Sequence, residues 1–276
     1  MTGRDTMTGQ DMAGRSARYR IKPTPLMGVA MIVAYIVVVF GLQFSSGIPY
    51  VDWVSTPANG LRTAVLPLAV GSVLLVAFLA IARWDMIWRD PGRLPMTAVM
   101  KAALYFFVAA ILVRAAGVDW GTVEVNLLLV VIASGVLVGF AEETLFRGIF
   151  LRSMRTNGRT EAVAALWTAI AFGLFHLPNL LVGSGPSQLV QIVLAALSGA
   201  TLYAFRRYRG LLLTAMIAHG IWDSSAFLAD SDGRDWLGPV SLALLAGGVV
   251  LGVLVLVSVW RTDKSTVVTP SGITQK

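Results

Sequence analysis

The segment Gly139-Phe140-Ala141-Glu142-Glu143-Thr144-Leu145-Phe146-Arg147-Gly148 sets two carboxylates and a guanidinium inside a run, Val125 to Leu151, that is otherwise almost wholly apolar. On insertion scales each charge at the centre of a membrane helix costs roughly 2.5 to 3.5 kcal/mol. Three of them within about one and a half helical turns therefore require partners or water. A cluster of this cost marks a functional site, and the rest of the chain has to supply its partners.

Composition places the run in a bilayer. Of 276 residues, 56% are hydrophobic and only 13% charged, against roughly 25% charged in an ordinary soluble domain. Several apolar runs reach about 20 residues, enough to cross a hydrocarbon core of about 30 Å, and with no water to satisfy a loose backbone they must be helices. Spans are expected at Pro25 to Phe44, Leu61 to Ala82, Thr97 to Ala116, Val125 to Leu151, Ala162 to Leu181, Gln188 to Phe205, Leu211 to Ala229 and Pro239 to Trp260. The expected fold is all-α, a polytopic membrane bundle of about eight transmembrane helices. The chain has no cysteine, which excludes disulfides and thiolate metal sites.

The net charge of +7 would suggest nucleic acid for a soluble protein. Here the placement of the charges accounts for it, and no nucleic-acid partner is expected. With the N-terminus inside, the inner connections hold Arg83, Arg89 and Arg93, then Arg152, Arg155 and Arg159, then Arg206, Arg207 and Arg209, followed by Arg261, Lys264 and Lys276. The outer connections hold only Arg62, Arg114 and Arg234, with Asp52, Asp119, Glu124, Asp230, Asp232 and Asp235. This bias sets orientation and puts both termini in the cytoplasm. Residues 1–23 read as a disordered cytoplasmic tail, 24–260 as the membrane bundle and 261–276 as a second cytoplasmic tail. Trp84, Trp88, Trp120, Trp236 and Trp260 stand near helix ends as interfacial anchors do. Lys101 and Arg114 read as snorkelling side chains, Gly248 and Gly252 as close packing within the bundle, and Ser184 and Ser187 as loop residues.

Both histidines of the chain fall inside spans. His176 closes Phe172-Gly173-Leu174-Phe175-His176, and His219 opens His219-Gly220-Ile221-Trp222-Asp223. At 1.5 Å per residue, Glu142, His176, His219 and Asp223 lie on the order of 12 to 21 Å from the cytoplasmic surface, in one slab. Glu143 and Arg147, four apart with the acid first, share a helix face and form a favourable pair. Glu142 points about 100° away and is free to face a cavity. Asp223, one turn from His219, could fix its tautomer, accept a substrate hydrogen bond or complete a metal site. His176, His219, Glu142 and Asp223 would make a zinc set. They would equally make a metal-free set in which a glutamate activates water, one histidine shares its proton and the other donates to an oxyanion.

The three motifs Glu142-Glu143-xxx-Arg147, Phe172-xxx-His176 and His219-xxx-Asp223, in this order on successive membrane helices, resemble those of the CAAX-protease and bacteriocin-processing (CPBP, or Abi) family of intramembrane endopeptidases. The resemblance spans about Leu127 to Leu228, which sets a catalytic core at about 125–230. It implies that Glu142 is the general base, that His176 assists it, and that His219 stabilises the oxyanion or binds metal. Glu143 and Arg147 are implied as a supporting pair, with Phe172 beside them. The prenyl-protein enzymes of the family carry Asn where this chain has Asp223, and an ionised Asp cannot donate to an oxyanion, so the metal reading gains weight here.

The function expected is hydrolysis of a peptide bond in a membrane-embedded or lipidated substrate, in a bacterial plasma membrane, with the substrate entering from the cytoplasmic side or the bilayer. Two other classes compete. A proton-coupled transporter would also use buried Glu, His and Asp, although no inverted repeat is visible. A non-catalytic immunity or scaffold protein would use the same bundle to hold a partner. No HExxH or GxGD motif is present.

Overall fold

The structure, a computed structural model, describes residues 19–182, 187–269 and 271–276. Among them, eight helices are long and apolar enough to cross a membrane. They are built on α1 Pro25–Ser45, α2 Pro57–Ala82, α3 Ala98–Gly117, α4 Val125–Thr156, α5 Glu161–Leu174, whose span runs on to Leu181, α6 Ser187–Arg207, α7 Leu212–Asp232 and α8 Leu237–Asp263. A 3₁₀ turn, Leu177–Val182, follows α5. Helix starts follow capping rules: Thr24 accepts from the Met27 amide ahead of Pro25, and Thr97 from the Met100 amide. Leu26, Val73, Tyr105, Leu112, Val136 and Leu242 stand exposed around the bundle, a belt suited to lipid rather than water. The protein is an all-α integral membrane bundle, as composition implies.

The helices alternate in direction, which gives the bundle two unlike ends. At one end meet the connections after α2, α4 and α6 and both described chain termini. There the Arg20 amide donates to Ala82, Asp90 to Gly210, and the Asn157 side chain to the Pro23 carbonyl. We call this the arginine end. At the other, the acidic end, the Asp119 amide donates to the Asp232 carbonyl, and Val118 bridges Gly233.

The arginine end is closed by buried ion pairs. Asp90 accepts from Arg155 at 2.9 Å and from Arg206 at 2.6 Å, and Glu161 takes Arg155 and the Tyr203 hydroxyl. Arg207 pairs with Asp263 and donates to the Pro95 carbonyl.

Three details differ from the sequence reading. Residues 19–23 and 261–276 read as tail, yet the backbone of Arg20, Ile21 and Pro23 is hydrogen-bonded to the bundle. The chain after α8 forms a hairpin, β1 Thr266–Thr269 with β2 Gly272–Gln275, in which Val268 is fully buried and Val267 bridges Thr160. The apolar pair Val267-Val268, too short to show periodicity, is what holds it. Residues 1–18 lie outside the described residues. Trp84, expected at the interface, is buried and donates to the Ile21 carbonyl, whereas Trp88, Trp120, Trp236 and Trp260 are exposed. Gly252 packs on the Leu197 backbone of α6, as close packing within the bundle requires.

Candidate active site

Helices α4 and α7 touch backbone to backbone. A Cβ on Gly135 would stand 2.6 Å from the Gly220 carbonyl oxygen, and one on Gly139 2.3 Å from that of Met216. Only glycine permits this approach, a small-residue seam of the kind that joins membrane helices. One turn beyond Gly139 come Glu142 and Glu143, and one residue before Gly220 comes His219, so the seam delivers the acids to the imidazole. Immediately after Glu143 the helix changes to π bonding over Thr144–Phe150, every residue of which is buried. Such insertions recur at functional sites because they re-aim side chains that a regular helix would direct elsewhere.

Glu143 is the hub. Its Oε1 accepts from Arg147 Nη1 at 2.6 Å and from His219 Nδ1 at 2.9 Å. Arg147 spends Nη2 on the Gly199 carbonyl of α6 at 2.9 Å and lays its guanidinium 4.3 Å from the centre of the Phe172 ring. Phe172 in turn meets His219 and His176 edge to face, at 5.5 and 5.3 Å between centroids. Three helices are thus bound to α4 through one carboxylate and its arginine.

The sequence leaves Asp223 as a candidate for fixing the His219 tautomer. The structure gives the close contact to Glu143, since Asp223 Oδ2 is 3.7 Å from His219 Nε2 and on the other ring edge. Glu142 Oε2 is also near Nε2, at 4.0 Å. His219 therefore has one nitrogen held and the other facing two acids. His176, in the turn just past α5, is oriented by the end of that helix: Nδ1 lies 2.9 Å from the Phe172 carbonyl oxygen. A carbonyl can only accept, so Nδ1 carries the hydrogen and Nε2 is the nitrogen with a lone pair to offer.

A cavity of about 630 Å³ receives Glu142, His176, His219 and Asp223 on its wall. Glu143 and Arg147 lie behind that wall, fully buried. The sequence-derived residues thus divide into a cavity-facing set and a supporting set, with Phe172 belonging to both. The cavity occupies the half of the bundle toward the acidic end, reaching Tyr50, Trp53 and Asp230. Gln191 ties this rim together, donating to the Tyr50 hydroxyl at 3.0 Å and accepting from Asn179 at 3.2 Å. Burial pushes the Tyr50 hydroxyl above its ordinary range, so it stays a neutral phenol. Tyr50, Asn179, Gln191 and Trp222 are absent from the sequence-derived set, because an isolated polar or aromatic residue, near a helix end or, like Trp222, in mid-helix, carries no motif. The Gly135-xxx-Gly139 spacing could have found the α4 seam. Ser184 lies outside the described residues, as does the side chain of Ser187.

A zinc set would need His176, His219, Glu142 and Asp223 to converge. Among the described residues no group of three or more such side chains is gathered to hold a metal ion. Each histidine has Nδ1 held, by Glu143 or by the Phe172 carbonyl, and Nε2 free, as metal-binding histidines do, so the misfit lies in the spacing of the side chains and not in their nitrogens. The side chains as placed do not fit the metal reading.

Residues 124–225 match the family described as Type II CAAX prenyl endopeptidase Rce1-like. The matched region runs from the start of α4 into α7 and contains the EExxxR segment, Phe172 with His176, and His219 with Asp223. Helices α1 to α3 and α8 fall outside it. No curated protein matches the chain.

Proposed function

From the premise that residues 124–225 carry the sequence of a CAAX-type intramembrane peptidase family, we propose that this chain hydrolyses a peptide bond of a membrane-embedded or lipidated substrate, with Glu142 as the base and no metal in the step. The observation that carries this reading is the division of the two adjacent glutamates. Glu143 Oε1 is taken by Arg147 and His219 and its Oε2 is buried off the cavity wall, while among the described residues the Glu142 side chain makes no hydrogen bond, stands 4.0 Å from His219 Nε2 and faces the cavity.

The chemistry balances on these residues. Water bound between Glu142 and His176 Nε2 loses a proton to the Glu142 carboxylate as its oxygen bonds to the peptide carbon. The carbonyl oxygen becomes an oxyanion facing His219. To donate through Nε2 while Nδ1 donates to Glu143, His219 must be the doubly protonated ring. Glu143, Glu142 and Asp223 surround that ring and balance its charge. Asp223 thus serves as a counter-charge, a role open to an aspartate that cannot itself donate. Collapse of the intermediate breaks the C–N bond, and the proton held by Glu142 passes to the leaving nitrogen. Arg147 positions this set from behind the cavity wall, and Phe172 does so from the wall itself.

The charge bias places the arginine end in the cytoplasm, and exposed Arg83, Arg89, Arg93, Arg159, Arg209 and Arg261 support that placement. The cavity then admits substrate from the opposite side of a bacterial plasma membrane, not from the cytoplasm as the depth of the motifs alone suggests. Because the chain has no cysteine, single-cysteine variants report this directly. Val51→Cys should react with an impermeant maleimide in intact cells and Ser265→Cys only after lysis; the reverse pattern would invert the proposed orientation.

Hydrolysis itself is tested by incubating purified protein in liposomes with membrane-inserted peptides and identifying products by mass. Discrete fragments are expected. Intact peptides together with solute flux driven by a pH gradient would replace the peptidase by a transporter.

A further inference from the structure

Arg114 is the arginine of the cavity wall, and the proposed chemistry leaves it unused. The sequence reads it as a snorkelling side chain near the end of α3. In the structure it instead turns its guanidinium onto the Trp222 ring, with Cζ 3.9 Å from the centroid. Trp222 also stacks on Phe107 at 4.3 Å between centroids, so the platform beneath the guanidinium is fixed. Arg114 lines both the main cavity and a smaller adjoining one of about 490 Å³ that reaches Arg234.

The donors of this guanidinium are not spent. Nη1 is buried and has no hydrogen-bond partner. Asp223 and Asp230 line the same cavity and offset the arginine's charge, yet among the described residues neither comes within the 4.0 Å of an ion pair. Elsewhere in the bundle the buried Arg147, Arg155, Arg206 and Arg207 each pair with a carboxylate, and Arg152, whose Nε and Nη1 are likewise unpartnered, lines neither cavity. A guanidinium on a rigid aromatic platform, with an unpartnered donor in a cavity, is suited to a planar anion, which it binds through paired charge-assisted hydrogen bonds. Trp222 lies three residues from His219 on α7, and residues at that spacing neighbour each other on a helix surface. An anion on Arg114 would therefore belong to the same bound peptide as the bond facing His219.

We propose that Arg114 is a specificity residue whose guanidinium binds a carboxylate of the substrate, a reading that rests on the peptidase function above. The carboxylate comes either from the free C-terminus of the peptide or from an acidic side chain close to the scissile bond. Two peptide pairs separate these sources: a short apolar peptide ending in carboxylate or in amide, and an amidated peptide carrying Asp or Asn near its end.

The experiment measures equilibrium binding of these fluorescent peptides to Glu142→Gln protein in nanodiscs, with and without Arg114→Gln, and cleavage of the same peptides by the wild type. One acid form should bind more tightly than its neutral partner by roughly tenfold to a hundredfold, the scale of a hydrogen bond to a charged group. The preference should vanish in Arg114→Gln and return in part in Arg114→Lys, which keeps the charge but not the fork. A preference for the C-terminal acid or for the Asp peptide identifies the source. Equal binding of acid and neutral forms, no binding of either, or a preference that survives Arg114→Gln would overturn the proposal, as would an equal loss for all peptides, which marks a structural arginine. Retained acid-selective binding with no cleavage by the wild type would instead remove the peptidase reading and leave the carboxylate site standing.

Discussion

The bundle contains two buried clusters built from the same residue types, and they are put together differently. At the arginine end Asp90, Glu161, Arg155 and Arg206 satisfy one another, with Tyr203 and backbone carbonyls filling remaining positions. At the site, Glu143 and Arg147 make an equally close pair, but Glu142, His176 and Asp223 face a cavity with hydrogen-bonding capacity to spare. The first arrangement ties helices and connections together. The second holds two imidazoles by their Nδ1 atoms and leaves them, with the Glu142 and Asp223 carboxylates, open to the cavity. Burial of charge, even with donors unpartnered as at Arg152, therefore does not distinguish the candidate site in this bundle; unspent charge that lines a cavity does.

This contrast can be broken at several points. Removing Asp90 leaves Arg155 and Arg206 short of a carboxylate, and breaking a buried pair costs about 3–5 kcal/mol. Asp90→Asn should therefore lower resistance to thermal unfolding sharply while the protein that remains folded keeps its activity per molecule; a stable but inactive Asp90→Asn protein would erase the distinction between the clusters. Glu143→Gln tests the hub. It should reduce kcat by roughly ten- to a hundredfold, since the His219 ring loses the charged acceptor that orients it, and it should also cost stability through Arg147. An effect on stability without one on kcat would make Glu143 a lock of the arginine-end kind. Phe172→Leu removes the platform under Arg147, worth about 0.5–2 kcal/mol, and should produce a modest loss of both activity and melting temperature, read in the same two assays. The smallest expected effect is that of a chelator. Cleavage should be unchanged by it, and loss of cleavage restored by added zinc would show that the ligands converge in the working enzyme.

Much of this was legible in the sequence, for physical reasons that also explain the remainder. Helix number and type follow from apolar length, because hydrocarbon allows the backbone no alternative. The site residues stood out because Glu142, Glu143, Arg147, His176 and His219 are costly in a membrane and scarce in this chain. The partner of His219 was less visible. A helical wheel pairs Glu143 with Arg147 and His219 with Asp223, but the cross-helix bond from His219 to Glu143 depends on how closely α4 and α7 approach, and that is fixed by Gly135, Gly139 and Gly220. The role of Arg114 was hidden for the same reason: its sequence position fits a snorkelling side chain, and only the placement of Trp222 turns it inward. The hairpin after α8 rests on Val267 and Val268 finding the α4–α5 connection, about a hundred residues away in sequence, which no local pattern records.

The most direct test of the account is to compare wild type and Glu142→Gln for peptide cleavage in liposomes and for thermal unfolding in the same preparation. The substitution keeps shape and removes the base, so cleavage should fall by roughly 10²–10⁴-fold while the melting temperature holds or rises. Cleavage at the wild-type rate by Glu142→Gln would contradict the account, because the carboxylate facing the cavity would then not be the group that activates water.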